Sequence, residues 1–183
     1  MLNVKSCELP STALLSRYHD WEKYPGTYTD CYYTDIQSNK MVGIITVEHY
    51  VNAFYTSGIF KLERLVLKWL IGKPSSDDQA ARLARGELDQ FAAWSVEART
   101  PNQLLMCDFQ NYTRSWFMFE PIEKTELTRL YFGSAVVPKA NDKTGKPSLG
   151  LSFRLLNGFH KVYSVLLLLS AKLKLTQLMK EYK

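Results

Sequence analysis

The sequence lacks the signatures that most directly mark chemistry. No GxSxG elbow, P-loop or GxGxxG turn occurs among its 183 residues, and Gly133-Ser134 falls inside a predicted strand, away from any phosphate-cradling turn. Cysteine is scarce: Cys7, Cys31 and Cys107 are odd in number and show no CxxC or Cys/His spacing. That pattern argues against a disulfide framework and a structural zinc site, and predicts reduced, inert thiols. His19, His49 and His160 have no ligand spacing, so no metal is expected, and no cofactor motif is present. Met1 to Ser16 has no basic start followed by an apolar block, so a secretory signal is not expected and a cytoplasmic location is. The one long apolar stretch, Leu149 to Leu175, is interrupted by Arg154, His160, Lys161, Lys172 and Lys174, which predicts no bilayer span.

What is present is an apolar, aromatic chain. At 46% hydrophobic and 13% aromatic residues it has enough to build a core, and its length suits one domain over 1–183 with the core at about 27–175. The net charge is +5, and five Lys against Glu181 place +4 of it in the last 23 residues. Basic residues are not spread along a groove with interleaved aromatics, so nucleic acid is not an expected partner. Cations at a helix end suit the helix dipole. A weak attraction to an anionic membrane through the C-terminal helix is the alternative.

Along the chain, Tyr28 to Ile36 reads as a strand and Met41 to Ile45 as a possible second one. At Thr46 the period becomes helical, with Val47, Tyr50, Val51, Phe54 and Tyr55 on one side and Thr46 as N-cap. A second helix carries Leu62, Leu65, Val66, Trp69 and Leu70 on one face and Lys61, Arg64 and Lys68 on a stripe expected to be solvated, until Gly72 stops it. Ser76 to Gln79 has capping-box spacing and starts a short helix from Asp77 to about Arg85. From Phe91 onward the period is two, giving strands to Ala98, over Leu104–Phe109, Tyr112–Glu120 and Thr128–Val137. Pro138 to Pro147 reads as an exposed loop. A long helix follows from about Ser152 to Lys174, with Leu155, Phe159, Val162, Tyr163, Leu166, Ser170 and Leu173 along the stripe expected to face inward.

The predicted class is therefore α+β, an antiparallel sheet of five or six strands wrapped around a long C-terminal helix, with short helices between the first and later strands. This order resembles the helix-grip superfamily of START lipid-transfer domains and polyketide cyclases. In more detail, FKLERLVLKWLIGKPSSDDQAARLARGE, FAAWSVEART with QLLMCDF, TRSWFMF, LYFGSAVVP and GFHKVYSVLLL are similar to a group of bacterial proteins of unassigned function placed near that superfamily. The similarity covers about Phe54 to Leu175 and implies a sheet gripping the terminal helix around an apolar pocket. It carries no catalytic residues over.

Treating Pro101-Asn102 and Gln110-Asn111 as two-residue turns pairs Thr100 with Gln103 and Phe109 with Tyr112. One face then carries Trp94, Val96, Ala98, Leu105, Cys107, Phe109, Tyr112, Arg114, Trp116 and Met118, and is expected to be the inward one. The opposite face carries Glu97, Leu104, Met106, Phe117 and Phe119. On the inward face Arg114 is a guanidinium among aromatics, with Cys107 as its cross-strand neighbour, so it needs an anion or several acceptors. Either it anchors the polar end of a ligand, or it pairs with Asp30, Asp35 or Glu63 or stacks on Trp116.

The expected activity is binding of a hydrophobic small molecule with a polar or anionic end, between the sheet and the C-terminal helix. Arg114 would orient it, Trp94, Phe109 and Trp116 would cover it, and Tyr112 and Tyr163 would offer hydroxyls. The alternatives are a cyclase or isomerase using Tyr112, Tyr163 or His160 as general acid or base, and a membrane-peripheral module.

Overall fold

A computed structural model describes the backbone of residues 3–20, 22–37, 45–140, 147–148 and 150–181, with side chains throughout these except at 70–71, 139–140, 147–148 and 150–159. The possible strand at Met41–Ile45, like the inward placement of Leu155 and Phe159, lies outside what is described, apart from Ile45, which is buried and not in a strand.

The elements run β1 (Lys5–Ser6), a 3-10 helix (Leu14–His19), β2 (Tyr28–Gln37), α1 (Val47–Tyr55), α2 (Gly58–Ile71), α3 (Asp77–Ala84), β3 (Gln90–Phe91), β4 (Trp94–Thr100), β5 (Gln103–Asp108), β6 (Thr113–Pro121), β7 (Leu127–Val136), β8 (Lys139–Ala140), β9 (Pro147–Ser148) and α4 (Gly150–Glu181). Seven strands form one antiparallel sheet in the order β1-β2-β7-β6-β5-β4-β3. The sheet exceeds the expected five or six strands through β1 and β3, which are two residues long each, too short for any periodicity to announce them.

Local signals act as expected at the helix ends. The Thr46 side chain accepts from the His49 N–H and Ser76 accepts from the Gln79 N–H, while Gly72 closes α2 in the left-handed region at φ +64°. In α2, however, the basic stripe is not simply solvated. Arg64 is largely buried over the Phe91 ring and bonds Ser75 and Asp77, and Lys61 also reaches Asp77. It is the apolar face, Leu62, Leu65, Val66 and Trp69, that is exposed.

Both faces of the sheet are covered. On one face the helices pack against Leu104, Met106, Phe117, Phe119, Leu130 and Phe132. On the other, the N-terminal segment lays Ala13, Leu15 and Tyr18 against Leu105, Trp116, Met118 and Tyr131. The expected inward face is thus reversed through β5 and β6. Alternation had no power to choose, because these strands are apolar on both sides, as strands in a fully covered sheet are. Gln103 ties down the second layer: its Oε1 accepts from Leu14 N–H and Trp116 Nε1–H, both at 2.8 Å, and its Nε2 donates to the Thr12 carbonyl.

The centre of the helical face is filled by α1. Phe54 meets Phe117 and Phe132 with ring centroids 4.6 and 5.0 Å apart, and Tyr50 donates to the Tyr131 carbonyl. The long helix α4 packs to one side, on α1 and β2. Among its described side chains the buried ones are Ser164, Leu167, Leu168, Ala171 and Leu175, a stripe rotated from the expected one, so Val162, Leu166 and Leu173 are exposed. The stretch His160–Glu181 is long and apolar enough to cross a membrane, at a mean hydropathy of 1.3, yet one face of it is packed on α1 and β2.

Candidate functional site

The six side chains singled out from the sequence occupy three separate places. Arg114 and Trp116 lie under the N-terminal segment, Trp94 and Tyr163 lie on the helical side, and Phe109 and Tyr112 sit at the β5–β6 turn, 54% and 38% exposed. They do not line one cavity. The cross-strand pairing of Cys107 with Arg114 holds, but the face alternation along β4 does not. A β-bulge between Val96 and Ala98 puts Trp94 and Val96 on the helical side and Ala98 on the other.

The bulge residue is Glu97, and it provides what Arg114 requires. Arg114 Nε donates to Glu97 Oε2 at 2.9 Å and lies 2.7 Å from the Tyr18 hydroxyl, while Nη1 donates to the Asn111 carbonyl at 2.8 Å. The Tyr18 hydroxyl also bonds Glu97. Burial works against the Arg114 charge, and Tyr18, Cys107 and Glu97 outweigh it, so the guanidinium is held above its ordinary range. Arg114 is a satisfied internal cation. Its partner is Glu97 and not Asp30, Asp35 or Glu63, because the bulge reverses the side on which that acid projects.

The acid/base candidates are equally dispersed. Tyr163 donates to Glu63 in α2, His160 bonds Ser134 in β7, and Tyr112 is at the hairpin turn.

A cleft of about 550 Å³ does open between the sheet and α4, at the β1–β2 edge. Its strand side includes Cys7, Tyr28, Asp30, Cys31 and Tyr32, and its helix side Lys161, Val162, Val165 and Leu166. Two of the exposed apolar residues of α4, Val162 and Leu166, are therefore a cleft wall. Asp30 is the chemically distinctive member, with a side chain only 7% exposed. Its Oδ1 accepts from the Ser134 N–H at 3.1 Å and the Ser134 hydroxyl at 2.6 Å, across a direct Asp30–Ser134 cross-strand pair. Its Oδ2 is buried without a hydrogen-bond partner, and His160 Nε2 stands 3.6 Å from it. With the Ser134 proton given to Asp30, His160 Nε2–H donates to the Ser134 oxygen at 2.7 Å. The serine is a relay between acid and imidazole, and the carboxylate is not on the far nitrogen of the ring as a nucleophile-activating triad requires.

On the opposite face of the same strand pair, toward the N-terminal segment, the Cys7 and Cys31 sulfurs are 3.1 Å apart. The sequence pattern marks Asp30 only as a possible partner for Arg114 and the cysteines as inert thiols. The available signal was an acid beside a cysteine inside a β-favouring run, YTDCYY, on a strand expected to be covered. Among the described residues no group of three or more His, Cys, Asp or Glu is placed to hold a metal ion.

No family profile, curated protein or solved structure matches the chain. The fold stands on its own geometry: an open antiparallel sheet packed against a C-terminal helix, compatible with a helix grip.

Proposed function

We propose that the protein binds a small hydrophobic molecule with a hydrogen-bond-donating end in the cleft between the β1–β2 edge and α4. One observation carries this reading: Asp30, a residue that lines an apolar cleft, has a buried carboxylate oxygen, Oδ2, that accepts no hydrogen bond and has only His160 Nε2 near it, at 3.6 Å. An orphaned buried acceptor costs about 1–3 kcal/mol, more when charged, and a ligand hydroxyl or ammonium would recover that while its apolar body lies along Val162, Val165 and Leu166. An anionic end is disfavoured, because the buried Asp30 carboxylate repels it and Arg114, the group expected to hold it, is engaged with Glu97 on the other face, leaving only the exposed Lys161, among the described residues, as a cation bordering the cleft. Helix-grip domains of the START and cyclase kind enclose apolar ligands between sheet and terminal helix, and the shared architecture supports the reading by analogy only.

The test is calorimetric titration with 1-dodecylamine, 1-dodecanol and dodecanoate below their micellar concentrations. The amine and the alcohol bind and dodecanoate binds far more weakly. Asp30→Asn weakens the amine by about tenfold or more, Ser134→Ala keeps it, and Val165→Trp blocks the cleft. Failure of every probe to bind, or unchanged binding to both Asp30→Asn and Val165→Trp, overturns the proposal.

A second reading rests on α2, where Leu62, Leu65, Val66 and Trp69 share one face, Trp69 is 77% exposed, and exposed Lys68 and Lys73 flank it. An apolar helical face beside Lys suits an anionic bilayer surface. Co-sedimentation with phosphatidylcholine–phosphatidylserine vesicles, lost in Trp69→Ser and at high salt, supports this reading, and equal binding by that variant removes it.

A further inference from the structure

The Cys7 and Cys31 thiols are separated by 24 residues and by no recognisable motif, yet they are side by side. Their sulfurs are 3.1 Å apart, inside van der Waals contact, and the Cys7 N–H donates to the Cys31 carbonyl at 3.0 Å, continuing the antiparallel register of Lys5 with Tyr33 and Ser6 with Tyr32. The backbone thus places the two residues opposite each other at the sheet edge. Both side chains lie on the face of the sheet covered by the N-terminal segment, where Cys31 is buried and Cys7, only partly buried, is the one a small reagent can reach. Cys107 provides a natural contrast. It is buried opposite Arg114 in the β5–β6 pair, with Asn111 Oδ1 3.0 Å from its sulfur, and it has no thiol neighbour.

We infer that Cys7 and Cys31 form a reversible thiol–disulfide exchange site, in which a low-molecular-weight disulfide reaching the partly buried Cys7 is reduced and the two cysteines become a cross-strand disulfide. The Cys7 thiolate attacks one sulfur of the reagent, breaking its S–S bond and releasing one small thiolate, which takes up a proton. The Cys31 thiol, losing its proton to solvent, then attacks the Cys7 sulfur of the mixed disulfide and expels the second small thiol. Two cysteine S–H bonds are exchanged for one protein disulfide, and one reagent disulfide is reduced to two thiols, so electrons and protons balance.

The order of attack follows from the surroundings. The hydrogen bond shared with Cys31 holds the Cys7 thiol below its ordinary range, against the effect of burial and with the Arg129 charge in support, whereas that same bond and burial push Cys31 up. Cys7 is the attacking thiol and Cys31 the resolving one. The product fastens β1 and the chain beyond it to β2, fixing one wall of the cleft.

The test uses the whole folded chain and oxidised glutathione, with alkylation in denaturant and peptide mass spectrometry as readout. Wild type loses two hydrogens and yields a linked Cys7–Cys31 peptide, while Cys107 remains alkylatable. Cys31→Ser accumulates a persistent glutathione adduct on Cys7, Cys7→Ser abolishes reaction at Cys31, and Cys107→Ala behaves as wild type. The inference is overturned by a wild-type adduct that never resolves, by intermolecular linkage, by preferential loss of Cys107, or by reaction at Cys31 in Cys7→Ser. The readout involves no cleft ligand, so its failure leaves the amine-binding test untouched, and the converse holds.

Discussion

Glu97 Oε2 and Arg114 Nε stand 2.9 Å apart across the width of β5, although strict alternation along β4 would place the two side chains on opposite faces of the sheet. The bulge at Val96–Ala98 makes the contact possible. By inserting a residue it turns Glu97 toward the N-terminal segment, where Arg114 and Tyr18 wait, and the same three groups then staple residues 14–19 to the sheet. A guanidinium in the second layer is thereby neutralised by an acid from a strand that is not its neighbour.

Glu97→Ala leaves Arg114 buried without its counter-ion and is expected to cost about 3–5 kcal/mol in urea unfolding. Arg114→Met should cost less, because it removes the stranded charge while filling similar volume. In a double-mutant cycle the two changes together should be milder than their sum by at least about 1 kcal/mol. Simple additivity would show that the pair is not energetically coupled.

Gly133 in β7 lies opposite Trp116, and a Cβ built there would come 2.9 Å from the Asp30 carbonyl and 3.0 Å from both Leu15 and Trp116. The first of these is backbone and has no rotamer to change. Gly133→Ala is expected to destabilise by about 2 kcal/mol or more, from overpacking. Trp116→Ala should cost about 3–5 kcal/mol, because it empties the same layer and deprives Gln103 of a donor, yet leave the cleft's affinity for dodecylamine unchanged in the folded fraction. Thermal melts and calorimetry on both variants check this, and a loss of binding in folded Trp116→Ala would contradict the layer assignment.

Burial pushes the Glu63 carboxyl above the ordinary range, and the hydrogen bond from Tyr163 only partly offsets it. For a raised carboxyl the sign is definite. Below the usual carboxylate range, at about pH 3, the group is neutral in folded and unfolded chains alike and its contribution is fully present. As pH rises through the folded value, ionisation draws that stability away. Glu63→Gln keeps an acceptor for Tyr163 without the charge, so it should raise the melting temperature at neutral pH and lose that advantage in acid. An equal effect at both pH values would show that ionisation is not the cause.

Much of the architecture was readable in residue order, and the reasons are local. Thr46 and Ser76 announced their helices by capping, Gly72 announced a helix end by its freedom to take positive φ, and Pro101-Asn102 set the β4–β5 register by the length of its turn. The register also put Cys107 beside Arg114 correctly, since a hairpin's turn sets the pairs that follow it until a bulge intervenes. The candidate site was far less legible. Asp30, Ser134 and His160 come from widely separated positions, as do Cys7 and Cys31, and no spacing rule joins residues brought together by strand pairing and helix docking.

The amino-acid sequence by itself determined the longer elements, their order and the registers of the β4–β5 and β5–β6 hairpins, because caps, turns and periodicities act over a few residues. Only the tertiary structure decided which face of a doubly apolar sheet meets the helices, where the bulge turns Glu97, and how α4 is rotated so that Val162 and Leu166 border a cleft. When both sides of a strand are apolar, hydrophobic pattern cannot tell one covering layer from the other, and the choice passes to packing between segments distant along the chain.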